Sequence, residues 1–312
     1  MVTSFTTNYL PLMNEYLCET VFKVPFRKNI YMKKGLVLEG GAMRGLFTCG
    51  VIDVMMENNI NFDGLVGVSA GAAFGCNYKS KQIGRAARYN IKYCNDKRYT
   101  SFRGWMRTGN LFSKDFCHNK IPMELDPYDF REAWDNPMKL YLTCSNIKTG
   151  EPEYKEFKED PLYCLELIRA TTALPIFSNI IRVDDEEYLD GGIVDSIPIK
   201  FMERQGYTKN IVVLTQIDGF VKEQTSLLPL IKVLYRKYPA FVEKVIGRPQ
   251  MYNETLAYIK EKEALGEILV IRPPYKIPVK SLERNPENLN LAYELGKTTA
   301  LEMIDKIKEY LI

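Results

Sequence analysis

Short continuous runs of apolar residues alternate along this chain with longer stretches in which apolar residues recur every three or four positions. The short runs are typical of buried β-strands and the longer stretches of amphipathic helices. The predicted strands span residues 36–38, 65–68, 140–145, 211–214 and 268–271, and the predicted helices span residues 46–57, 70–77, 161–172 and 288–311. Because strands and helices alternate, the pattern predicts an α/β fold, a three-layer α/β/α sandwich with a central, mostly parallel sheet.

Three further segments add detail to this outline. Residues 147–150 are predicted to turn into a second, antiparallel run that ends near Phe157. A charged hairpin at residues 184–187 precedes a short strand at residues 188–189. Residues 227–244 combine apolar and basic positions, and we interpret them as one helix that packs on the core.

The first 31 residues differ from the rest because they contain scattered aromatic residues and two prolines without a clear period. They predict an N-terminal extension, at residues 1–31, that precedes a main domain at residues 32–312. Two interpretations of this extension stay open. It is either an arm packed on the domain, or a poorly ordered segment that precedes an alternative start at Met32.

Composition narrows the class of protein. A chain of 312 residues suits one large domain, and its net charge of +3 does not suggest a nucleic-acid binder. The seven cysteines are odd in number and include no C-x-x-C pair, which favours free thiols in a reducing cytoplasm over a disulfide framework. They are Cys18, Cys49, Cys76, Cys94, Cys117, Cys144 and Cys164.

Several kinds of site and segment are not expected. The chain has one histidine, His118, and its cysteines lack ligand spacing, so we predict no metal site. The sequence suggests no organic cofactor either. We see neither an apolar run long enough to span a membrane nor the charged and apolar regions of a signal peptide. The expected location is the cytoplasm, with peripheral contact at the inner membrane face.

The strongest local motif is Gly67-Val68-Ser69-Ala70-Gly71, between a predicted strand and a predicted helix. This context is typical of a nucleophile elbow, in which glycines permit a tight turn that exposes the serine. The N-terminus of the following helix favours negative charge that develops near Ser69. The alternative is a glycine-rich turn with a capping serine.

A second motif, Glu39-Gly40-Gly41-Ala42-Met43-Arg44-Gly45, joins the first strand to the first helix. Its glycines let backbone N–H groups converge on one point, which makes an anion-binding nest. The spacing fits neither a dinucleotide fingerprint nor a P-loop. Beside a nucleophile elbow, an oxyanion hole is the natural role, and a loop without chemistry is the alternative.

The position of His118 decides which base could serve Ser69. In an α/β-hydrolase triad the base histidine follows the acid, but His118 precedes most candidate acids and is the only histidine. We therefore expect His118 to be structural. Asp190-Gly191-Gly192 offers a carboxylate whose two glycines allow close approach of another backbone, although Asp-Gly-Gly is also a common turn.

Together, these three motifs resemble those of the patatin-like phospholipase family. That family pairs a glycine-rich oxyanion loop with a G-x-S-x-G serine and an Asp-Gly-Gly or Asp-Gly-Ala aspartate, without a histidine. The resemblance extends to residues 169–175 and to Asp195-Ser196-Ile197-Pro198, covering residues 33–214 well and the C-terminal third weakly. It is closest to bacterial patatin-like proteins of unassigned substrate. One departure is Ala42, where many members have a third glycine, and the oxyanion hole survives if that residue needs no positive φ.

The resemblance implies a serine acyl-ester hydrolase of phospholipase A or lysophospholipase type, acting on lipid or other acyl esters. Ser69 and Asp190 would form the catalytic dyad, with the oxyanion held by the N–H groups of Gly41 and Ala42 and by that of Ala70. The implied oxyanion loop comprises Gly40, Gly41, Ala42, Arg44 and Gly45, while Gly67, Gly71, Gly191 and Gly192 support the motifs. Two alternatives remain, a thioesterase or transacylase with the same dyad and a non-enzymatic anion-binding protein.

Basic and aromatic residues alternate between residues 85 and 116. One interpretation is an amphipathic flap that makes peripheral contact with an anionic membrane. The other is a solvated helix face.

Overall fold

The computed structural model describes residues 32–312, so the predicted extension and Cys18 lie outside the described residues. The described part contains one sheet of eight strands. These are β1 (Lys33–Leu38), β2 (Gly64–Val68), β3 (Lys139–Asn146), β4 (Pro152–Glu156), β5 (Ile181–Val183), β6 (Glu186–Asp190), β7 (Tyr207–Val213) and β8 (Ile268–Ile271).

The sheet is parallel through most of its width. Strands β3, β2, β1, β7 and β8 are neighbours in that order, and each pairs in parallel with the next. The remaining strands are antiparallel, since β4 and β6 pair with β3 while β5 pairs with β6. Every residue of β2 and β8 is buried, as expected for parallel strands covered on both faces. The predicted mostly parallel sheet is confirmed, as is the antiparallel run after residues 147–150.

Helices cover the sheet. They are α1 (Leu46–Glu57), α2 (Ala70–Lys79), α3 (Arg85–Tyr93), α4 (Phe102–Thr108), α5 (Phe130–Asp135), α6 (Pro161–Thr171), α7 (Ile199–Arg204), α8 (Leu228–Leu234), α9 (Pro239–Ala264), α10 (Pro286–Glu302) and α11 (Ile304–Tyr310). Two 3-10 helices, Ala42–Gly45 and Gly191–Ile193, and a π-helical segment, Phe116–Leu125, complete the described elements.

Alternate residues of β1 point into two separate hydrophobic cores. Leu36 and Leu38 belong to a core that α1, α2, α6 and α10 complete. Val37 belongs to a second core that includes α7 and the later part of α9. Successive side chains of a strand point to opposite faces, so a core on each face makes the predicted three-layer arrangement.

Two helix predictions are wrong in extent. Residues 227–244 form the end of a turn, helix α8 and the start of α9, because Pro239 begins a new helix and disfavours a helical residue before it. Residues 288–311 divide at Met303 between α10 and α11.

The core-packing interpretation of residues 227–244 is only partly right. Ile231 and Phe241 are buried, but Leu230, Val233 and Leu234 of α8 are exposed. Helix α8 therefore presents an apolar surface to solvent.

The six cysteines within residues 32–312 are free thiols, so the prediction of no disulfide framework holds for this part of the chain. Among the helices of the same residues, none combines the length with the apolar character that crossing a bilayer requires.

Candidate active site

The turn between β2 and α2 presents Ser69 in a strained backbone conformation. Ser69 has a φ of 52° and a ψ of −123°, which non-glycine residues rarely adopt. A Cβ on Gly67 would lie 2.5 Å from Ala72 Cα, and a Cβ on Gly71 would lie 2.5 Å from the Leu38 oxygen. The sharp strand-to-helix turn is thus present, and close packing requires both glycines of the motif.

A buried hydrogen-bond chain holds this turn against the sheet. The Ser69 N–H donates to Thr171 Oγ1 at 3.0 Å, and the Thr171 hydroxyl donates to the Thr143 carbonyl at 2.6 Å. Thr171 is the last residue of α6, so this helix fixes the backbone of the serine from the side of β3.

Asp190 meets Ser69 because two strands end at neighbouring positions on β3. Val68, the last residue of β2, pairs with Thr143, and Asp190, the last residue of β6, pairs with Cys144. Since β2 is parallel and β6 antiparallel to β3, β2 and β6 approach Thr143 and Cys144 from opposite directions. Ser69 Oγ donates a hydrogen bond to Asp190 Oδ2 at 2.5 Å.

The Asp190 carboxyl group is buried, and burial raises its pKa above the ordinary aspartate value. The hydrogen bond from Ser69, the N–H of Gly192 and the nearby Arg248 cation partly oppose this rise in pKa. The Gly192 N–H donates to Asp190 Oδ1 at 2.8 Å. One carboxyl oxygen therefore faces the serine while the backbone orients the other.

The glycine-rich loop lies directly against Ser69. A Cβ on Gly40 would lie 3.2 Å from Ser69 Cβ, and a Cβ on Gly41 would lie 2.7 Å from Thr215 Oγ1. Ala42, the next residue, lines the same cavity as Ser69. The loop, the serine and the aspartate therefore come together.

Ala42 has a φ of 48°. The sequence predicted that the oxyanion hole survives if residue 42 needs no positive φ, and this condition is not met. Alanine keeps its N–H in this conformation but bears the steric cost that glycine would avoid.

The remaining motif residues support the loop and the aspartate. Arg44 donates from Nη1 to Ser281 Oγ at 3.2 Å, which ties the loop to the C-terminal part of the chain. Gly45 ends the 3-10 helix and caps α1. A Cβ on Gly191 would lie 2.0 Å from the Thr143 oxygen, so glycine is required beside β3.

Sequence reasoning included Glu39 in the glycine-rich motif but gave it no role, and in the structure it anchors the start of the loop. Its buried carboxylate accepts hydrogen bonds from the Thr215 N–H and from the Tyr252 hydroxyl, each at 2.5 Å, and from Thr215 Oγ1 at 3.1 Å. Burial raises the pKa of Glu39 above its ordinary value. A charged residue at the end of an apolar strand was the available clue, but its partners lie more than 170 residues away along the chain.

Two cations beside the dyad were also missed. Arg248 of α9 donates from Nε to the Gly192 carbonyl at 2.6 Å, and Lys222 Nζ lies 4.7 Å from the centre of the Tyr252 ring. No local motif marks either residue.

A largely apolar cavity opens beside Ser69. Residues of α2, α6 and the π-helical segment contribute to its wall, including Phe74, Ile121, Leu165 and Ile168, and Phe112 adds to it from the segment after α4. The serine thus lies where a polar dyad borders an apolar space.

His118 also lines this cavity, from within the π-helical segment. Burial, followed by the cations of Arg169 and Lys114, lowers the pKa of His118 to about 3. That His118 has no catalytic role stays a prediction. Within residues 32–312 no group of three or more His, Cys, Asp or Glu side chains is placed to hold a metal ion.

Residues 85–116 do not form one amphipathic flap. Arg85 is buried, with its guanidinium bonded to Asn77 Oδ1 and the Asp126 carbonyl, while Arg88 pairs with the Asp126 carboxylate. The later part differs, since Phe102 and Met106 of α4 are 64% and 65% exposed. Within residues 85–116, α4 combines these exposed apolar side chains with the exposed basic side chains of Arg103 and Arg107.

Comparison with known proteins identifies the family. The family model described as patatin-like phospholipase matches residues 36–202. The chain belongs to the patatin-like phospholipase family. A second model, a domain of unknown function called DUF6363, matches residues 238–312, which explains why the patatin-like resemblance fades in the C-terminal third.

Several relatives accompany this match. The chain is 30% identical to YjjU of Escherichia coli over 78% of this chain and 74% of that protein. It is 24% identical to the lysophospholipase nte1 of Aspergillus terreus over 98% of this chain but only 21% of that protein. The solved structure of VipD from Legionella pneumophila aligns with a TM-score of 0.41 and 14% identity, over 88% of this chain and 67% of that one. The patatin-like family and its lysophospholipase members support lipid acyl hydrolysis as the general activity.

Proposed function

We propose that the protein is a serine acyl hydrolase of lipid esters, of phospholipase A or lysophospholipase type, with Ser69 as nucleophile and Asp190 as its base. The observation that carries this proposal is the 2.5 Å hydrogen bond from Ser69 Oγ to Asp190 Oδ2 at the edge of an apolar cavity. An anion-binding protein would not require these two side chains to meet.

In the first step, Ser69 Oγ attacks the carbonyl carbon of the ester while its proton passes to Asp190 Oδ2. The carbonyl oxygen becomes an oxyanion, stabilised by the N–H groups of Gly41, Ala42 and Ala70. Neither Gly40 nor Gly41 donates its N–H to an acceptor in the part of the chain that the structure describes. Collapse breaks the ester C–O bond, and Asp190 returns the proton to the departing alcohol.

In the second step, water attacks the acyl-enzyme. Asp190 takes a proton from this water, and a second oxyanion forms in the same hole. Its collapse breaks the acyl C–Oγ bond and releases the fatty acid, while Asp190 returns the proton to Oγ and restores the Ser69 hydroxyl. An aspartate at its ordinary pKa is a weak base at neutral pH. Burial raises the pKa of Asp190, which makes its carboxylate a better proton acceptor.

The apolar cavity accounts for a lipid substrate. An acyl chain that enters it removes apolar surface from water, which contributes roughly 0.8 kcal/mol for each buried CH₂. Its wall includes Phe74, Ile121 and Leu165, so the chain would lie on the α2 and α6 side of Ser69.

The test compares Ser69→Ala and Asp190→Asn with the wild type on a panel of phospholipids and simple acyl esters. Both variants should lose on the order of 10⁶ in kcat, because neither can pass the proton from nucleophile to base. His118→Ala is the control and should keep kcat within about tenfold of wild type, since our mechanism gives it no proton to move. Activity of Ser69→Ala within tenfold of wild type would refute the dyad.

Fluorophosphonate labelling separates the remaining alternatives. A hydrolase, thioesterase or transacylase would be labelled at Ser69, whereas an anion-binding protein would not. Rates with acyl thioesters and with alcohol acceptors in place of water then distinguish the three enzymes.

The exposed apolar surface favours peripheral contact with a membrane. Trp105 of α4 donates from Nε1 to the Ile176 carbonyl at 2.9 Å, and the Ile176 N–H donates to the Tyr235 hydroxyl, just after α8, at 3.1 Å. Leu174 and Ser178, on either side of Ile176, line the cavity. Helices α4 and α8 therefore flank the cavity, and their exposed apolar residues would place it against the lipid.

Six free thiols within residues 32–312 favour a reducing compartment. We accordingly propose that this contact is made from the cytoplasm, at the inner face of the membrane.

A further inference from the structure

The DUF6363 region contacts the glycine-rich loop at both of its ends. At the start of the loop, Tyr252 of α9 donates its hydroxyl to Glu39 Oε1 at 2.5 Å. At the other end, the Ser281 carbonyl accepts from the Met43 N–H at 3.4 Å, and the Ser281 hydroxyl accepts from Arg44 Nη1 at 3.2 Å. The residues between these contacts are those whose N–H groups would hold the oxyanion.

Glu39 depends on the Tyr252 hydroxyl because its carboxylate is buried. Glu39 is only 2% exposed, and its Oε2 accepts from both the N–H and the hydroxyl of Thr215. Within residues 32–312 the donor to Oε1 is Tyr252. A buried carboxylate oxygen without a donor costs free energy, so loss of the hydroxyl would displace or protonate Glu39. Either change alters the hydrogen bonds that fix the start of the loop.

The same helix also supports the catalytic aspartate. Arg248 lies one turn before Tyr252 on α9 and donates from Nε to the Gly192 carbonyl at 2.6 Å. The Gly192 N–H donates to Asp190 Oδ1 at 2.8 Å. Burial lowers the pKa of Arg248, and the carboxylates of Asp190 and Glu39 partly oppose this fall. Helix α9 thus contacts the backbone that orients the base as well as the carboxylate that begins the loop.

The loop itself contains a residue that must be held in place. Ala42 has a φ of 48°, a conformation that a non-glycine residue keeps only where its surroundings impose it. Contacts at both ends of the loop supply such a constraint.

We propose that the DUF6363 region completes the active site, with Tyr252 as a positioning residue that acts through Glu39 on the N–H groups of Gly41 and Ala42. The inference rests on the proposed function and adds that residues outside the patatin-like match set the geometry of the oxyanion hole. Its donors are effective at about 2.7–3.1 Å from the developing oxyanion. A small shift of the loop therefore lowers the rate of the chemical step without preventing substrate binding.

The experiment compares p-nitrophenyl butyrate with its thionoester, in which sulfur replaces the carbonyl oxygen. Sulfur is larger than oxygen and a weaker hydrogen-bond acceptor, so N–H groups placed for oxygen favour the oxygen ester. In Tyr252→Phe, kcat for the oxygen ester should fall about tenfold to a hundredfold while KM stays within about threefold. The ratio of kcat/KM for the oxygen ester to that for the thionoester should fall about fivefold or more.

Tyr258→Phe is the matched control. Tyr258 is also on α9, and its hydroxyl donates to a carboxylate oxygen, Glu203 Oε2, at 2.7 Å. Glu203 belongs to α7 rather than to the site, so kcat and the ratio should both stay within about twofold of wild type. The ratio does not depend on the fraction of enzyme that is folded, and a loss of stability alone leaves it unchanged.

Glu39→Gln tests whether Tyr252 acts through Glu39. This variant should itself lower the ratio, and the addition of Tyr252→Phe should then change the ratio by less than about twofold. A neutral amide tolerates a missing donor better than a carboxylate does, so the double variant replaces Tyr252→Phe in the comparison if the single variant does not fold. A further fall of about fivefold in the double variant would contradict action through Glu39.

Hydrogen exchange tests the inference without catalysis. The Met43 N–H bonds to the Ser281 carbonyl and the Arg44 N–H bonds to the Gly41 carbonyl at 3.1 Å, so both amides report on the loop. Their exchange should be about tenfold faster or more in Tyr252→Phe and unchanged in Tyr258→Phe. If the wild type hydrolyses no ester but this exchange pattern is found, the dyad proposal fails and the coupling of α9 to the loop stands.

Two results would overturn the positioning role while the wild type still hydrolyses the oxygen ester. The first is an equal loss on both esters in Tyr252→Phe. The second is exchange at Met43 and Arg44 that matches the exchange in Tyr258→Phe. Either result would leave the dyad proposal intact.

Discussion

At the residue scale, the candidate site contains two non-glycine residues with positive φ, Ala42 at 48° and Ser69 at 52°. Such conformations cost free energy and persist only where the surroundings hold them. The Thr171 hydroxyl holds Ser69, whereas the tight packing of Gly41 against Thr215 fixes the loop before Ala42. The site therefore stores strain on both sides of the position where the ester would lie.

Ala42→Gly should stabilise the protein. Glycine relieves the left-handed strain, worth about 1–2 kcal/mol, but loses part of that gain to the entropy of the unfolded chain, so the net increase in unfolding free energy is about 0.5–1 kcal/mol. Urea denaturation measures it. Ala257→Gly, on the exposed face of α9, is the control and should lower the unfolding free energy by about 1 kcal/mol. A lower unfolding free energy in Ala42→Gly would contradict the inferred backbone strain at Ala42.

The pH dependence of kcat/KM should reveal the raised pKa of Asp190. Asp190 must be ionised to accept the proton, so activity falls as pH drops through its pKa, and burial places this acid limb above the ordinary aspartate value of about 3.9. Arg248→Gln removes a cation that favours ionised Asp190 and should move the limb to higher pH.

His118→Gln is the control for this profile, since the pKa of His118 is already low and our mechanism does not use it. If the acid limb moves in His118→Gln and not in Arg248→Gln, the assignment of the titrating base to Asp190 is wrong.

At the scale of elements, α10 packs on α1 through two facing glycines. A Cβ on Gly50 would lie 2.1 Å from the Tyr293 oxygen, and a Cβ on Gly296 would lie 2.0 Å from the Phe47 oxygen. The backbones of the two helices therefore touch, which joins α10, within the DUF6363 region, to the helix that follows the glycine-rich loop.

Gly296→Ala should lower the unfolding free energy by about 1–3 kcal/mol, because the added methyl group meets rigid backbone and forces the helices apart. Gly247→Ala is the matched control. It lies within α9 with no atom near the position of the new Cβ, so better helix propensity should raise the unfolding free energy by about 0.5–1 kcal/mol. Changes of the same sign in both variants would contradict the close helix crossing.

At the scale of the whole molecule, the cavity, the dyad and the exposed apolar helices form one arrangement. Helices α4 and α8 flank the segment around Ile176, and this segment borders the cavity that leads to Ser69. A lipid could then pass from a membrane to the serine without its chain crossing water.

Phe102→Ser combined with Met106→Ser should weaken binding to vesicles that contain anionic lipid by tenfold or more, since each side chain contributes roughly 1.5–3 kcal/mol when buried. Cosedimentation measures it. Hydrolysis of a water-soluble short-chain ester should stay within about twofold of wild type, because neither residue contacts the dyad. Leu291→Ser, at the similarly exposed Leu291 of α10, is the control, and equal loss in that variant would argue against a membrane surface at α4.

The sequence by itself determined the features that depend on neighbouring residues. Apolar periodicity predicted the central strands and α1, since burial on a sheet or helix face repeats every two or 3.6 residues. Glycine spacing predicted the turn around Ser69, because the need for close packing at Gly67 and Gly71 is local. The three motifs in order also predicted the family, which the comparisons confirm, whereas the roles of Ser69 and Asp190 stay predictions.

Only the tertiary structure decided how distant segments meet. The register of β2 and β6 on β3 brings Asp190 to Ser69, and the packing of α9 brings Arg248 and Tyr252 to the loop. The positive φ of Ala42 likewise follows from packing around the loop rather than from the identity of the residue. Register and helix packing depend on contacts between segments far apart in the chain, and a pattern of neighbouring residues does not encode them.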